Sequence, residues 1–301
     1  MSPRQVKGYF RLMRPANIVT AISDILAGVA IAGYFGKLQP GGLQLAPVLL
    51  LALATIGLYG GGVVFNDVFD ADLDKMERPE RPIPSGLIAR TNAAILGGLL
   101  LLMGIVAAYF VHRSFTPSAA IAVAIAIAAL LYDKWGKHHY FLGPLNMGLC
   151  RGLNICLGMS ILPAALGTHW VIGIIPVLYI AAITMISRGE VHGGRRSILR
   201  TAGIFYALVI GSILWIAYRN GTFLFALLFL AVFAAMIFWP LQKAVRNPVG
   251  PSIGKAVKAG VLALILMNAA WAAAFGTLSV ALMILLLLPL SLWLAKAFAV
   301  T

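Results

Sequence analysis

Acidic residues are scarce in this sequence. Of 301 residues only nine are Asp or Glu, against 23 Lys or Arg, and the charged types together make up 11% of the chain. So few charges cannot cover a soluble globule, which excludes that class. Cysteine is scarcer still. The two present, Cys150 and Cys156, lie close together within one apolar segment, which argues against a disulfide framework and against a zinc site. What fills the chain is apolar: 61% hydrophobic residues and a mean hydropathy of +0.95. These values describe one integral membrane domain over residues 1–301, all-α, a multi-span helical bundle.

Apolar runs long enough to cross a bilayer fall at 15–35, 44–68, 92–112, 116–132, 142–163, 168–187, 201–219, 222–240, 256–276 and 277–299. Ten spans are therefore expected, or nine if the terminal hairpin is broken or re-entrant. The first apolar run follows Arg4, Lys7, Arg11 and Arg14 and is read as a retained span, since no small-residue cleavage site follows it. With ten spans, only Lys37, Arg113 and Arg219 fall on one side and Arg151 lies within a span. Every other basic residue is on the opposite side, which the positive-inside rule makes cytoplasmic, with both termini there and the cell (inner) membrane as the expected location. This distribution accounts for the formal charge of +14 without a nucleic-acid partner; membrane lipid is the expected surround.

Six of the nine acids sit in one stretch, Asn66 to Gly86, which reads NDVFDADLDKMERPERPIPSG. If the preceding apolar helix continues, Asp67, Asp70 and Asp74 lie within about 60° of one another at about 100° per residue. Asn66 borders that face, and Asp72 points away as a spectator. Like charges on one face repel, and acids at a helix C-terminus oppose the macrodipole, so folding alone gives no reason for the arrangement. A divalent cation removes both objections. Mg²⁺ is held by one or two carboxylates together with water and phosphate oxygens, and Arg78, Arg81 and Arg90 downstream offer charge suited to bidentate phosphate contacts. The stretch reads as a magnesium–diphosphate clamp. The alternative is a solvated acidic-then-basic loop, which the spacing disfavours.

Asn66, Asp67, Asp70 and Asp74 match the NDxxDxxxD motif of the UbiA superfamily of intramembrane prenyltransferases, and RPERPIPSG resembles the Arg-Pro-rich segment that follows it there. The resemblance implies a helical bundle around a central cavity open to the cytoplasmic face. It implies an isoprenyl diphosphate bound through Mg²⁺ by Asn66, Asp67, Asp70 and Asp74, and prenyl transfer to a lipophilic or aromatic acceptor. Arg78, Arg81 and Lys137 would neutralise the leaving diphosphate. Tyr132 and Lys137 resemble the family's YPxxKR segment, although Asp133 replaces its proline and Gly136 its first base. The loop 186–196 departs from the family, because where a second DxxxD motif is typical it carries no aspartate. Glu190 is its sole carboxylate, beside His192 and among Arg188, Arg195 and Arg196. Three readings stay open: Glu190 holds a second cation with His192, the arginines bind phosphate directly, or the second metal site and ordinary transfer are lost. The missing aspartates suggest a divergent, EboC-like branch. A base for the acceptor proton is to be found among Glu190, His192 and Asp133.

Two ionisable groups within spans are functional candidates in their own right. Asp24 and Arg151 each sit roughly 13 Å from the cytoplasmic boundary at 1.5 Å per residue, with Asn17 and Thr20 aligned with Asp24, and Asn146 and Asn154 flanking Arg151. They are expected to pair and to face a polar, substrate-contacting cavity, or else to hold two spans together. Aromatic residues of 205–239 are read as packing or interfacial belt rather than an isoprenoid groove. A transporter, or a family member that binds isoprenoid diphosphate without turnover, is the competing functional class.

Overall fold

In a computed structural model of the chain, residues 2–36, 44–115, 117–139, 142–190 and 193–298 are described. Among them there is no strand. The helices are α1 (Pro3–Met13), α2 (Pro15–Ile31), α3 (Ala46–Phe69), α4 (Ala71–Glu77), α5 (Arg90–Phe110), α6 (Pro117–Lys134) and α7 (Leu142–Met159). They are followed by α8 (Pro163–His169), α9 (Ile174–Ser187), α10 (Arg196–Arg219), α11 (Phe223–Arg246), α12 (Gly250–Ala274), α13 (Leu278–Leu285) and α14 (Leu287–Ala297).

Eight helical segments among the described residues are long and apolar enough to cross a membrane, or nine if α1 and α2, bent by 42°, form one span. Against the ten expected from sequence, the shortfall is α7. It occupies the expected fifth span, but Asn146, Arg151 and Asn154 lower its hydropathy, and it packs inside the bundle against α2, α6 and α9. The terminal hairpin separates into α12 and a span from Leu278 to Ala297. The chain is an integral membrane protein, and its lipid side is laid with exposed apolar residues such as Leu49, Leu99, Leu224 and Leu228, as a bilayer requires.

The interior is built on α2 and α12. In α12, 83% of the most apolar window is buried, because its run of Ala and Gly lets neighbouring backbones approach. The α2–α7 contact depends on the same device. A Cβ at Gly28 would lie 2.4 Å from the Ile155 carbonyl oxygen, and one at Gly158 would lie 2.5 Å from that of Ile25. The α3–α5 contact repeats it, with a Cβ at Gly57 falling 2.4 Å from the Leu100 carbonyl oxygen. Without a hydrophobic drive between helices in lipid, such close backbone packing is what holds neighbours together.

At the α1–α2 junction Arg14 adopts φ 50° and ψ 67°, the left-handed region that a non-glycine residue seldom visits. The following Pro15 starts α2, and proline disfavours the right-handed helical region for its predecessor. The bend therefore aims the Arg14 side chain away from both helices and toward α3.

Gly158→Ala should destabilise the protein by about 1–3 kcal/mol through overpacking, read as a lower melting temperature in detergent. Gly98→Ala, where an added Cβ meets nothing within 4 Å, should leave it unchanged or slightly raised.

Candidate functional site

The NDVFDADLD stretch does continue the helix, with one break. α3 ends at Phe69 and Asp70 (φ −83°, ψ −2°) caps it, yet the Asp70 N–H still donates to the Asn66 carbonyl (3.0 Å) and the Asp74 N–H to the Asp70 carbonyl (2.8 Å). Asp67 and Asp74 are thereby buried at 5% and 4% exposure, while Asp72 is turned outward to Lys75 and Arg90. The Lys75 ammonium, with Arg90 beside it, holds the Asp72 carboxyl below the usual range. Arg90, expected among the phosphate contacts, is thus engaged with the spectator acid.

The loop after α4 is pinned by Ile83 and Ile88, which are buried against α1, α3 and α5. Its fixed course brings Arg81 over the acids, donating to Asp74 at 2.7 Å and to Asp67 at 3.5 Å. Arg14 donates to Asp67 at 2.8 Å, and Lys137 donates to Asp70. Each expected metal-binding aspartate therefore already carries its own cation. Among the described residues no three acids, histidines or cysteines converge closely enough to cage a metal by themselves. Asn66, expected beside them as a ligand, spends its amide N–H on Asp133 (3.0 Å). The reason is electrostatic: a buried carboxylate is stable only beside an opposite charge or hydrogen-bond donors.

The residues nonetheless fit a magnesium ion that arrives with a diphosphate. Asp67 and Asp74 share Arg81, so they lie together, and such an ion needs only one or two carboxylates, with phosphate and water completing its shell. The buried Oδ2 of Asp133 has no hydrogen-bond partner among the described residues, so an unused carboxyl oxygen stands in the cluster.

Glu190 lies in the short turn after α9, half-buried. Burial pushes its carboxyl up and the nearby Arg78 guanidinium opposes this. Arg188 donates to the His139 carbonyl at 3.2 Å, tying the end of α9 to the turn after α6. His192 lies outside the described residues. Tyr132 is half-buried beside Asp133. Asn146, expected to contact substrate, is turned to the α6 backbone; with its amide oriented so that both ends are satisfied, the nitrogen donates to the Ala128 carbonyl at 3.2 Å and the oxygen accepts from the Tyr132 N–H at 3.2 Å.

Deeper in the bundle, Asp24 and Arg151 pair as expected, at 2.6 Å. The rest of their expected setting is different. Asp24 has 0% exposure, and its oxygens accept from Arg151, Asn154 (3.1 Å) and Asn268 (2.7 Å). Arg151 also donates to Thr20 at 2.6 Å and stacks over the Tyr59 ring, while Asn154 accepts from Thr55 at 2.8 Å. The network joins α2, α3, α7 and α12 with no oxygen of Asp24 facing open space. It positions helices; substrate contact at Asp24 is not what this geometry provides.

Sequence reasoning missed Arg14, which counted only toward the basic flank, and the Asn268–Asp24 bond. Two signals were present: a charged residue immediately before a proline, and a lone Asn in an Ala-Leu run of α12.

A family model described as the UbiA prenyltransferase family matches residues 25–252. A curated protein of Sulfurisphaera tokodaii named digeranylgeranylglyceryl phosphate synthase is 33% identical over 181 residues, covering 60% of this chain and 61% of that one. The chain spans about 60% of the length of the curated relatives that head the comparison. Among solved structures, an apo UbiA homologue from Aeropyrum pernix K1 superposes with TM-score 0.69 at 18% identity, covering 84% of this chain and 96% of that one. A UbiA homologue from Archaeoglobus fulgidus, bound to GPP and Mg²⁺, superposes with TM-score 0.54 at 13% identity over 90% and 99% of the two chains. At these identities the likeness is one of fold.

Asp24→Asn and Arg151→Met should each destabilise the protein by about 3–5 kcal/mol, since each leaves a buried partner uncompensated. The double variant should lose less than the sum of the two. Unfolding by denaturant in mixed micelles measures both.

Proposed function

We propose, from the premise that this chain belongs to the UbiA prenyltransferase family, that it transfers a prenyl group from an isoprenyl diphosphate to a lipophilic acceptor within the membrane, with Mg²⁺ as cofactor. The observation that carries this reading is the set of three aspartates, Asp67, Asp70 and Asp74, each held by a separate basic side chain at one end of an apolar bundle. A purely structural cluster would need no such excess of charge. A site that exchanges its internal ion pairs for a metal-bound diphosphate does.

Asn66, Asp67, Asp70 and Asp74 are the residues that would hold Mg²⁺, which as a Lewis acid makes the diphosphate a better leaving group. Arg14, Arg81 and Lys137 then turn from the carboxylates to the diphosphate oxygens and stabilise the charge that grows as the carbon–oxygen bond breaks. The donor carbon forms its new bond to the acceptor, and the acceptor's proton passes to a base. Glu190 suits that task, because burial raises its proton affinity while the Arg78 guanidinium lies near enough to oppose the rise. The surrounding apolar helices keep water from the allylic cation.

For the acceptor we infer a lipophilic alcohol bearing a phosphate. The curated relatives are named as synthases of a glyceryl phosphate lipid, and the basic residues Arg188, Arg195 and Arg196 around α9 and α10 offer bidentate phosphate contacts. We infer that the site lies at the cytoplasmic face of the cell membrane, a reading supported by the crowding of basic residues on that side.

Purified protein in nanodiscs, given Mg²⁺, geranylgeranyl diphosphate and a geranylgeranylglyceryl phosphate acceptor, should release diphosphate and form an ether lipid, and chelation should abolish both. Asp67→Ala should lower the rate by about 10²-fold or more, whereas Asp72→Asn should retain it. Tight binding of the donor without diphosphate release, for every acceptor offered, would overturn the catalytic reading.

A further inference from the structure

Asp133 is the one buried acid of the cluster that the reading above leaves without a role. It ends α6 at 4% exposure. Its Oδ1 accepts the Asn66 amide N–H at 3.0 Å, and its buried Oδ2 has no hydrogen-bond partner among the described residues. Orienting Asn66 requires only one acceptor oxygen, which a neutral amide supplies as well. The second carboxyl oxygen is one that a merely structural role does not use, and a buried polar atom left without a partner is costly.

The surrounding charges sharpen the point. Asp67 has Arg14 and Arg81, Asp74 has Arg81, and Asp70 has Lys137. Asp133 makes no salt bridge of its own among the described residues, although Asp70, Lys137 and Arg14 lie close enough for their charges to act on it. The cluster thus sets four carboxyl groups against three cations, and the one left without a salt bridge is Asp133, beside Asn66. Meanwhile the turn after α9 offers only Glu190 and no aspartate.

We propose that Asp133 Oδ2 is a further ligand for the divalent cation carried by the diphosphate, supplied from the end of α6. This rests on the prenyl-diphosphate reading of the site. Asn66 then serves two partners, its nitrogen orienting Asp133 and its oxygen left for the same cation or its water. Two oxygens from neighbouring helices, α3 and α6, would be brought to one ion, so cation binding also ties α6 to α3.

The test is Mn²⁺ binding followed by electron paramagnetic resonance, with inorganic diphosphate present, on the full chain in nanodiscs, together with melting temperatures of the metal-free protein. Asp133→Asn should weaken Mn²⁺ binding by about 10-fold or more, while its metal-free melting temperature stays equal to or above that of the wild type. Asp133→Glu, which keeps the carboxylate, should bind Mn²⁺ more tightly than Asp133→Asn. Asp72→Asn should change neither quantity. Unaltered Mn²⁺ affinity in Asp133→Asn, with the wild type binding, overturns this inference alone and leaves the donor site standing. A fall in metal-free stability would show Asp133 to be structural and likewise overturn it. Failure of the wild type itself to bind Mn²⁺ with diphosphate would remove both this inference and the site reading on which it rests.

Discussion

A carboxylate withdrawn from water into an apolar bundle must meet a positive partner or a dense set of hydrogen-bond donors, because its desolvation is otherwise uncompensated. Of four buried acids at two depths, Asp24, Asp67 and Asp74 meet that constraint fully, and Asp133, with the Asn66 amide alone, meets it at one oxygen. Asp24 is met by Arg151, Asn154 and Asn268 in the middle of the bundle. Asp67, Asp74 and Asp133 are met at one end by Arg14, Arg81 and Asn66. These pairings use what backbone and apolar packing set up: the bend before α2, the loop pinned by Ile83 and Ile88, and the close approach of α7 to α2.

The two sites differ in what can be exchanged. Around Asp24 every donor comes from a helix interior, and the pair is sealed between α2, α3, α7 and α12, where Gly28 and Gly158 bring the backbones together. Such a network fixes register. At the end of the bundle the donors are long arginine and lysine side chains arriving from a helix junction and from loops, so they can transfer from carboxylate to phosphate without moving a helix. The deep network thus supplies the rigidity against which the shallower one can be rearranged, and α2 links the two, carrying Asp24 within it and starting just after Arg14.

The fold was largely legible from apolar run lengths, since a chain this poor in charge has few ways to bury its backbone in lipid other than as helices. α7 escaped that reading because its polar residues lower its hydropathy while the tertiary network compensates them. The acidic motif was legible as well: the spacing of Asp67, Asp70 and Asp74 places them together, and Asp72 outside. Arg14, Asn268 and the true partner of Asn146 were not legible. Each meets residues far away in the chain, and no local period encodes such a meeting. Arg90 was misassigned for the reverse reason, because sequence proximity to the motif does not say which carboxylate a flexible side chain will choose.

By itself the sequence determined the membrane class, the helical architecture and the identity of the acidic stretch. Those depend on local quantities, namely residue hydropathy and helical spacing, that survive without a fold. Tertiary structure alone decided which cation neutralises which acid, that Asp24 is sealed rather than open, and that Asp133 stands in the same cluster as Asn66 and Asp70. Charge pairing falls off over a few ångströms and depends on burial, so it exists only once helices distant in sequence have been packed side by side.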